Sequence, residues 1–410
     1  MIKVFPFRAV MPTADCAAAV AAPPYDVVST EEARQLAANN DLSFLRVSRP
    51  ELELPGGTDI YSDEVYKQAA RNYHRLRTAA PLHQDKMPHF YLYAQTMGTH
   101  RQVGIVAAAS VDDYVGNRIK KHEKTRRQKE DDRTRHIMTL RSQTGPVFLL
   151  HADNAEIDAI IKSTIATQPR LFDFIADDGI GHTVWRLDTE DNTKIIDAFL
   201  RVDSLYIADG HHRAASAARA CEAMQAAGQA HGTPEHERFL SVIFAASQLR
   251  ILPYNRVVSD LNGMQPAQLL AEAAKVFTVS AAAAPVPEAA GNIHMYLQKQ
   301  WYKLSVAADA IASLSPVDQL DVSLLQDRLL APLLGIDDPR SNERIDFIGG
   351  IRGTDELQRL VDSGKAAVAF SMFPTTVAQL MAIADAGQIM PPKSTWFEPK
   401  LRDGLLIHDI

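Results

Sequence analysis

The segment SLYIADGHHRAASAARACEAMQAAG, Ser204 to Gly228, constrains this chain more than any other. The run Ser204 to Ala208 reads as a short apolar strand, and the alanine-rich run from Ala214 to Ala227, stopped by Gly228, reads as a helix. Only Asp209 to Arg213 remain to connect them. A strand that reaches a helix through so short a turn presents unpaired backbone amides at the positive end of the helix dipole, where an anion is held well. Gly210 permits the turn and a close approach, Arg213 can bind two phosphate oxygens at once, and His211 and His212 donate further hydrogen bonds. Asp209 would then hold a magnesium-bound water or orient a substrate hydroxyl. The competing reading is a simple N-cap by Asp209 with solvated histidines. A zinc site on His211 and His212 is disfavoured, because adjacent residues rarely converge on one ion and no other ligand cluster accompanies them.

The rest of the chain narrows the setting. A length of 410 residues allows two or three folding units, and 46% hydrophobic with 23% charged residues is the balance of a globular protein. The longest apolar stretches, such as Val103 to Ser110 and Phe239 to Ala246, fall well short of the roughly 18 residues that a membrane span needs. Pro6, Arg8, Pro12 and Asp15 interrupt any signal-peptide core near the start. Two cysteines, Cys16 and Cys221, give no disulfide framework and no cysteine metal cluster, so a reducing cytoplasm is expected. The net charge of −7 argues against DNA binding by the whole surface. Between Arg118 and His136, however, nine Lys/Arg stand against four Asp/Glu, a local excess of +5. A basic patch on an acidic chain favours a small anionic ligand over a polynucleotide.

Periodicity and turn residues order the chain as an α/β protein with mixed sheets. A strand is expected at Ile2 to Phe5, a helix from Ser29 with Glu31 and Glu32 in its first turn, and a second helix over Asp63 to Leu76. HFYLYAQTM and RQVGIVAAASV read as a hairpin about Gly98 to His100, and Gly145 to His151 as a further strand. Three regions are expected: residues 1–152, residues 153–265 with the Asp209 turn, and residues 266–410 folding back on the site.

A second constellation is RIKKHEKTRRQKEDDR. The charged stretch Val115 to Thr139 is helical in composition, and on one helix His122, Arg126, Lys129 and Arg133 would share a cationic stripe. Glu123 beside them could take a proton from a hydroxyl. A solvated helix with ion pairs such as Glu123 with Arg127 is the alternative. APPYDVVS and MPPKSTWFEPKLRDGLLIH combine proline, aromatics and charge, which suits rigid loops that present polar groups. In the latter, Lys393, Ser394 and Thr395 are expected to line the pocket of the Asp209 turn. No GxGxxG occurs, and SGKAA at Ser363 to Ala367 lacks the pattern of a Walker loop.

APPYDVVS, HEKT with the later Asp132 and Arg133, YIADGHHRAASA, LPYNRVV and MPPKSTWFEPKL together resemble the bacterial family catalogued as domain of unknown function 1015. The DGHHR turn alone is similar to the phosphate-binding motif of free serine kinases and ParB-type nucleotide-binding domains, a superfamily that includes sulfiredoxin. That likeness implies a ParB/sulfiredoxin-like nucleotide-binding core with additional α/β regions. It also implies that Gly210, His211, His212 and Arg213 contact nucleotide phosphates, with Asp209 near the transferred group and Glu123 as the candidate base. His122, Arg126 and Arg133 are expected to complete the phosphate ligands. The expected function is transfer of a phosphoryl group between ATP or ADP, with Mg2+, and the hydroxyl of a small anionic metabolite, serine or phosphoserine first. The alternative is a nucleotide-binding regulatory protein without turnover. No nucleic-acid or membrane partner is expected, and the oligomeric state is left open.

Overall fold

A computed structural model describes residues 1–78, 82–228 and 234–410, and the chain divides into two compact units. The first comprises Met1–Leu249 with Pro399–Ile410, and the second Arg250–Glu398. Both mix helices with sheets, so the chain is an α/β protein.

The first unit grows from a hairpin. Strands Tyr91–Met97 and His100–Ser110 pair antiparallel, with Met97 opposite His100 across a turn in which Gly98 has φ 59°. Their residues are buried along most of both strands, so both faces of the sheet are covered. The hairpin lies within a nine-stranded sheet. The spatial order is Ile119–Lys120, Leu205–Asp209, Val147–His151, Arg238–Ala245, His100–Ser110, Tyr91–Met97, Gly181–Arg186 and Arg170–Ile175, with Val4–Phe5 also pairing His100–Ser110. Two pairings are parallel, Ile119–Lys120 with Leu205–Asp209 and Val147–His151 with Arg238–Ala245. One core packs Ile105, Leu149, Ile207 and Ile243 of these strands against Ile157 and Phe199 of flanking helices. A second core joins Val10, Phe44, Leu45 and Tyr73 to Ile407 of the C-terminal tail.

The helices follow their end signals. Thr30–Ala37 opens with a capping box between Ser29 and Glu32, and Asp63–Thr78 carries Asp63 and Glu64 in its first turn. The continuous helix expected over Val115 to Thr139 does not form. Instead a short helix ends at Val115, Asn117 takes φ 56°, Ile119–Lys120 joins the sheet, and the helix proper is Arg127–Leu140. Charge composition favours a helix, but the chain satisfies the backbone of Ile119 and Lys120 in the sheet instead.

In the second unit a six-stranded antiparallel sheet runs in the order Thr278–Ala281, Gln300–Ser305, Asn292–Leu297, Val368–Ser371, Tyr254–Val258 and Ile345–Gly349. Val257, Tyr296, Ile348 and Ala369 of this sheet pack against Leu357 of the helix Gly353–Asp362. Pro253 separates the strand Arg250–Leu252, paired with Trp396–Glu398, from Tyr254–Val258.

The tail 399–410 is woven into the first unit. Asp403 bridges to Ala22, Ile407 to Val10, and His408–Asp409 pairs with Ser142–Gln143. Gly404 sits in the middle with φ 84°, and a Cβ added there would stand 2.5 Å from Cγ of Phe44. Gly404→Ala therefore combines a left-handed backbone with a clash in the core. It is expected to lower stability by about 2–3 kcal/mol in denaturant unfolding; a loss below about 0.5 kcal/mol would show that the tail is not held this way.

Candidate functional site

The strand Leu205–Asp209 ends at a helix, as the sequence requires, but the helix begins earlier than its alanines, at His211. Gly210 is the N-cap, with φ 91° and ψ 31°, and no side chain caps the helix. The N-cap reading for Asp209 therefore does not hold. The first-turn amides of this 16-residue helix are left without a capping side chain, and the helix dipole points at the same place.

Parallel pairing explains what stands beside that turn. Ile119 lies opposite Leu205 and Lys120 opposite Tyr206, so the residues after Lys120 and after Asp209 leave the sheet at the same end. The loop 121–126 is thereby laid along the helix start. His122 N–H donates to Nε2 of His211 at 3.4 Å, and Arg126 N–H donates to Nε2 of His212 at 3.0 Å. Because each Nε2 accepts, each neutral ring carries its proton on Nδ1. Nδ1 of His211 faces Oε2 of Glu123 at 3.7 Å. The histidines thus clasp the loop that carries Glu123, rather than projecting as free phosphate donors.

Burial keeps the imidazoles neutral. It holds His211 well below its ordinary value, helped by neighbouring His122, and lowers His212 as well. His122 is pushed down to about 4 by burial, with its ring edge-on to His211 at 4.5 Å.

Asp209 has two cationic partners. Oδ2 accepts from Nη2 of Arg213 at 2.7 Å, and Oδ1 from Nζ of Lys400 at 3.2 Å. Burial alone would raise this carboxyl, but Lys400 and Arg213 hold it far below the usual carboxylate range. The donor set for magnesium expected at Asp209 does not fit, since each oxygen already meets a cation, and no step is derived through that ion. Among the described residues no group of three His, Cys, Asp or Glu is placed to hold a metal.

Arg213 departs from its expected role. Its guanidinium turns inward, where Nη1 donates to the carbonyl of Pro146 and Nη2 to Asp209. Only 8% of the residue is exposed. A Cβ on Gly210 would lie 3.0 Å from Arg213 Nε, so the glycine also leaves room for the arginine beneath it.

The cationic stripe of one helix is also corrected. His122 and Arg126 precede the helix Arg127–Leu140, and Arg126 is its extended N-cap. Arg133 lies within that helix, and its guanidinium is engaged by its own neighbours. It pairs with Asp132 at 2.9 Å, stacks over Tyr25 at 4.2 Å and donates to the carbonyl of Ser48 at 3.4 Å. Ser216 Oγ donates to the carbonyl of Glu130, which pins this helix to His211–Ala226. Lys124 and Arg126 of the loop and Arg127 at the start of the helix have exposed side chains.

Lys393, Ser394 and Thr395 belong to the second unit. There Lys393 Nζ stands over Tyr254 at 5.3 Å, and Ser394 Oγ donates to the carbonyl of Pro391. The tail residues that join the turn in the first unit are Lys400 and Asp403, which sequence reasoning passed over. Their signal lay in the same segment, as charged residues spaced among the apolar ones of KLRDGLLIH.

The family model described as "Protein of unknown function (DUF1015)" matches residues 4–323. Among curated proteins no sequence matches this chain. Similar solved structures include a conserved hypothetical protein from Pyrococcus furiosus, 13% identical with a TM-score of 0.36, covering 73% of this chain and 93% of that one. A free serine kinase in complex with AMP is 12% identical with a TM-score of 0.37, covering 71% and 86%. SbnI with C-terminal truncation from Staphylococcus aureus is 11% identical with a TM-score of 0.40, covering 72% and 84%. No helix among the described residues is long and apolar enough to cross a membrane.

Two outcomes test this geometry. Arg213→Ala leaves Asp209 with one of its cations and the Pro146 carbonyl without its donor, so unfolding free energy is expected to fall by about 3–5 kcal/mol. A fully stable variant would place the guanidinium elsewhere. His122 titrates near 6.5 unfolded but near 4 folded, so between those values the unfolded chain holds the extra proton and stability drops as pH falls from 6.5 towards 4. His122→Asn is expected to flatten that slope relative to the parent, read from denaturant midpoints across the window. Parallel slopes would remove His122 from the acid response.

Proposed function

This chain belongs to the family of proteins of unknown function DUF1015, and from that premise we propose that it binds a nucleotide through its phosphates and transfers a phosphoryl group to or from a small hydroxylated metabolite. The carrying observation is the uncapped start of the helix His211–Ala226, reached through left-handed Gly210 and flanked by Lys400. Backbone amides and the dipole favour an anion there, and exposed Lys124, Arg126 and Arg127 add charge that a polyphosphate would meet first.

Phosphoryl transfer asks little covalent chemistry of a protein, and its rate comes from positioning and charge neutralisation. In this reading the first-turn amides and the loop cations hold the phosphates. Glu123, carried on the loop that His211 and His212 clasp, takes the proton from the attacking hydroxyl. Asp209 acts as a clamp that holds Lys400 at the turn. Serine and phosphoserine are the first substrates to try, because the DGHHR turn resembles that of free serine kinases.

The test is to incubate the full chain with ATP or ADP, magnesium and L-serine and to follow phosphoserine by phosphorus NMR. Product supports the reading. Nucleotide binding without product, across a panel of hydroxylated metabolites, supports instead a regulatory protein that senses nucleotide, a role with which the double engagement of Asp209 is compatible. Glu123→Gln, nearly isosteric, is expected to cut turnover by about 10²-fold or more while nucleotide affinity stays within about twofold. Undiminished turnover would move the base elsewhere.

A further inference from the structure

Beneath the turn lies a cavity of about 40 Å³, lined by Tyr25, Arg133, Thr144, Arg213 and Asp403 on its polar side and by Phe239 and Leu240 among its apolar walls. By the measure of about 10–15 Å³ per water, it holds about three waters, so it is far too small for a nucleotide.

Two of its polar groups lack partners. Arg213 Nε is a buried donor with no acceptor, and Asp403 Oδ1 a buried acceptor with no donor. The residues are 8% and 3% exposed. An unsatisfied polar atom at such depth is costly, so both call for a partner within the cavity, which water or a small polar ligand can supply. Burial pushes the Asp403 carboxyl up to about 7 despite Arg213 nearby, so near neutral pH it accepts from a ligand in one state and donates in the other. Arg133 adds a second guanidinium to the same walls, and Phe239 and Leu240 can take a short carbon skeleton.

We infer that this cavity binds a small carboxylic acid bearing a neighbouring hydroxyl or amino group, its carboxylate facing Arg213 and Arg133 and its donor group on Asp403. Two guanidinium groups match the oxygens of one carboxylate. Above about pH 7, where Asp403 is ionised, it requires something that can donate, which a plain carboxylate lacks, so the discriminating screen is run above that pH. A nucleotide at the helix start and an acid under Gly210 would share Arg213's turn of helix. The assignment of this acid as the phosphoryl acceptor rests on the function proposed above, but its binding does not.

The test is a thermal-shift and calorimetric screen of the full chain with D-glycerate, L-lactate and L-serine at about 10 mM, against propionate, which lacks the donor, and ethanolamine, which lacks the carboxylate. At least one two-ended acid is expected to raise the melting temperature by several degrees, while the controls leave it unchanged. Asp403→Asn is expected to weaken that acid at least tenfold and to leave ADP affinity unaltered. Gly145→Ala is the second variant, since its added Cβ would stand 2.8 Å from Asp403 Oδ1 and displace the carboxyl without changing charge. It too is expected to lose the acid and keep ADP. The inference is overturned if none of the three acids binds, if propionate binds as well as glycerate, or if both variants keep full affinity for the acid. ADP binding without acid binding sinks the cavity and spares the nucleotide reading; acid binding without ADP binding does the reverse.

Discussion

Everything at the candidate site hangs on one carboxylate. Asp209 ends the strand Leu205–Asp209 and holds Arg213 on one oxygen and Lys400 on the other. It thereby ties the strand, the first turn of the helix and the C-terminal tail to one point. A charge drawn out of water is expensive, and an ion pair repays that only when geometry is good and the remaining polar groups find partners. Arg213 meets much of the condition through the Pro146 carbonyl, while its Nε does not. The exception lies at the wall of the cavity, where an outside ligand can complete the set.

The histidine pair solves a different problem. A loop laid over a helix start has backbone amides that need acceptors, and the neutral Nε2 atoms of His211 and His212 supply them. Burial keeps both rings neutral, which is the state in which a ring nitrogen can accept. A protonated pair would repel the neighbouring lysines and arginines and would offer the loop no acceptor. Burial and hydrogen bonding thus depend on each other here. The same clasp brings Glu123 to the turn although it lies far from His211 in sequence.

Much of the fold was legible because local signals agreed with burial. The hairpin about Gly98, the capping box at Ser29 and the strand that runs into the helix through Gly210 all stand where their turn and cap residues put them. The stretch Val115 to Thr139 misled because its charges suit a helix, whereas the deciding interaction is pairing of Ile119 and Lys120 with the distant strand Leu205–Asp209. No local pattern carries such a partner. Arg213 misled in another way. Residue type says that an arginine can bind phosphate, not which way it points, although its spacing of four from Asp209 was a readable hint of an internal pair. Asp403 and Lys400 stayed hidden because only the tail's pairing with Val10, Ala22 and Ser142–Gln143 brings them to the turn.

The inward turn of Arg213 changes where the positive field at the helix start comes from. Paired with Asp209, Arg213 contributes little net charge, because the two nearly cancel at a distance. Lys400 is the third member of the group and leaves it with an excess of one cation. That excess sits next to the uncapped amides and adds to the partial positive charge of the helix dipole. Without the tail, Asp209 would face the same amides with only Arg213 to balance it, and a phosphate would meet a nearly neutral pair. The net positive charge beside the DGHHR turn is thus set by a lysine outside the motif, delivered by the C-terminal tail.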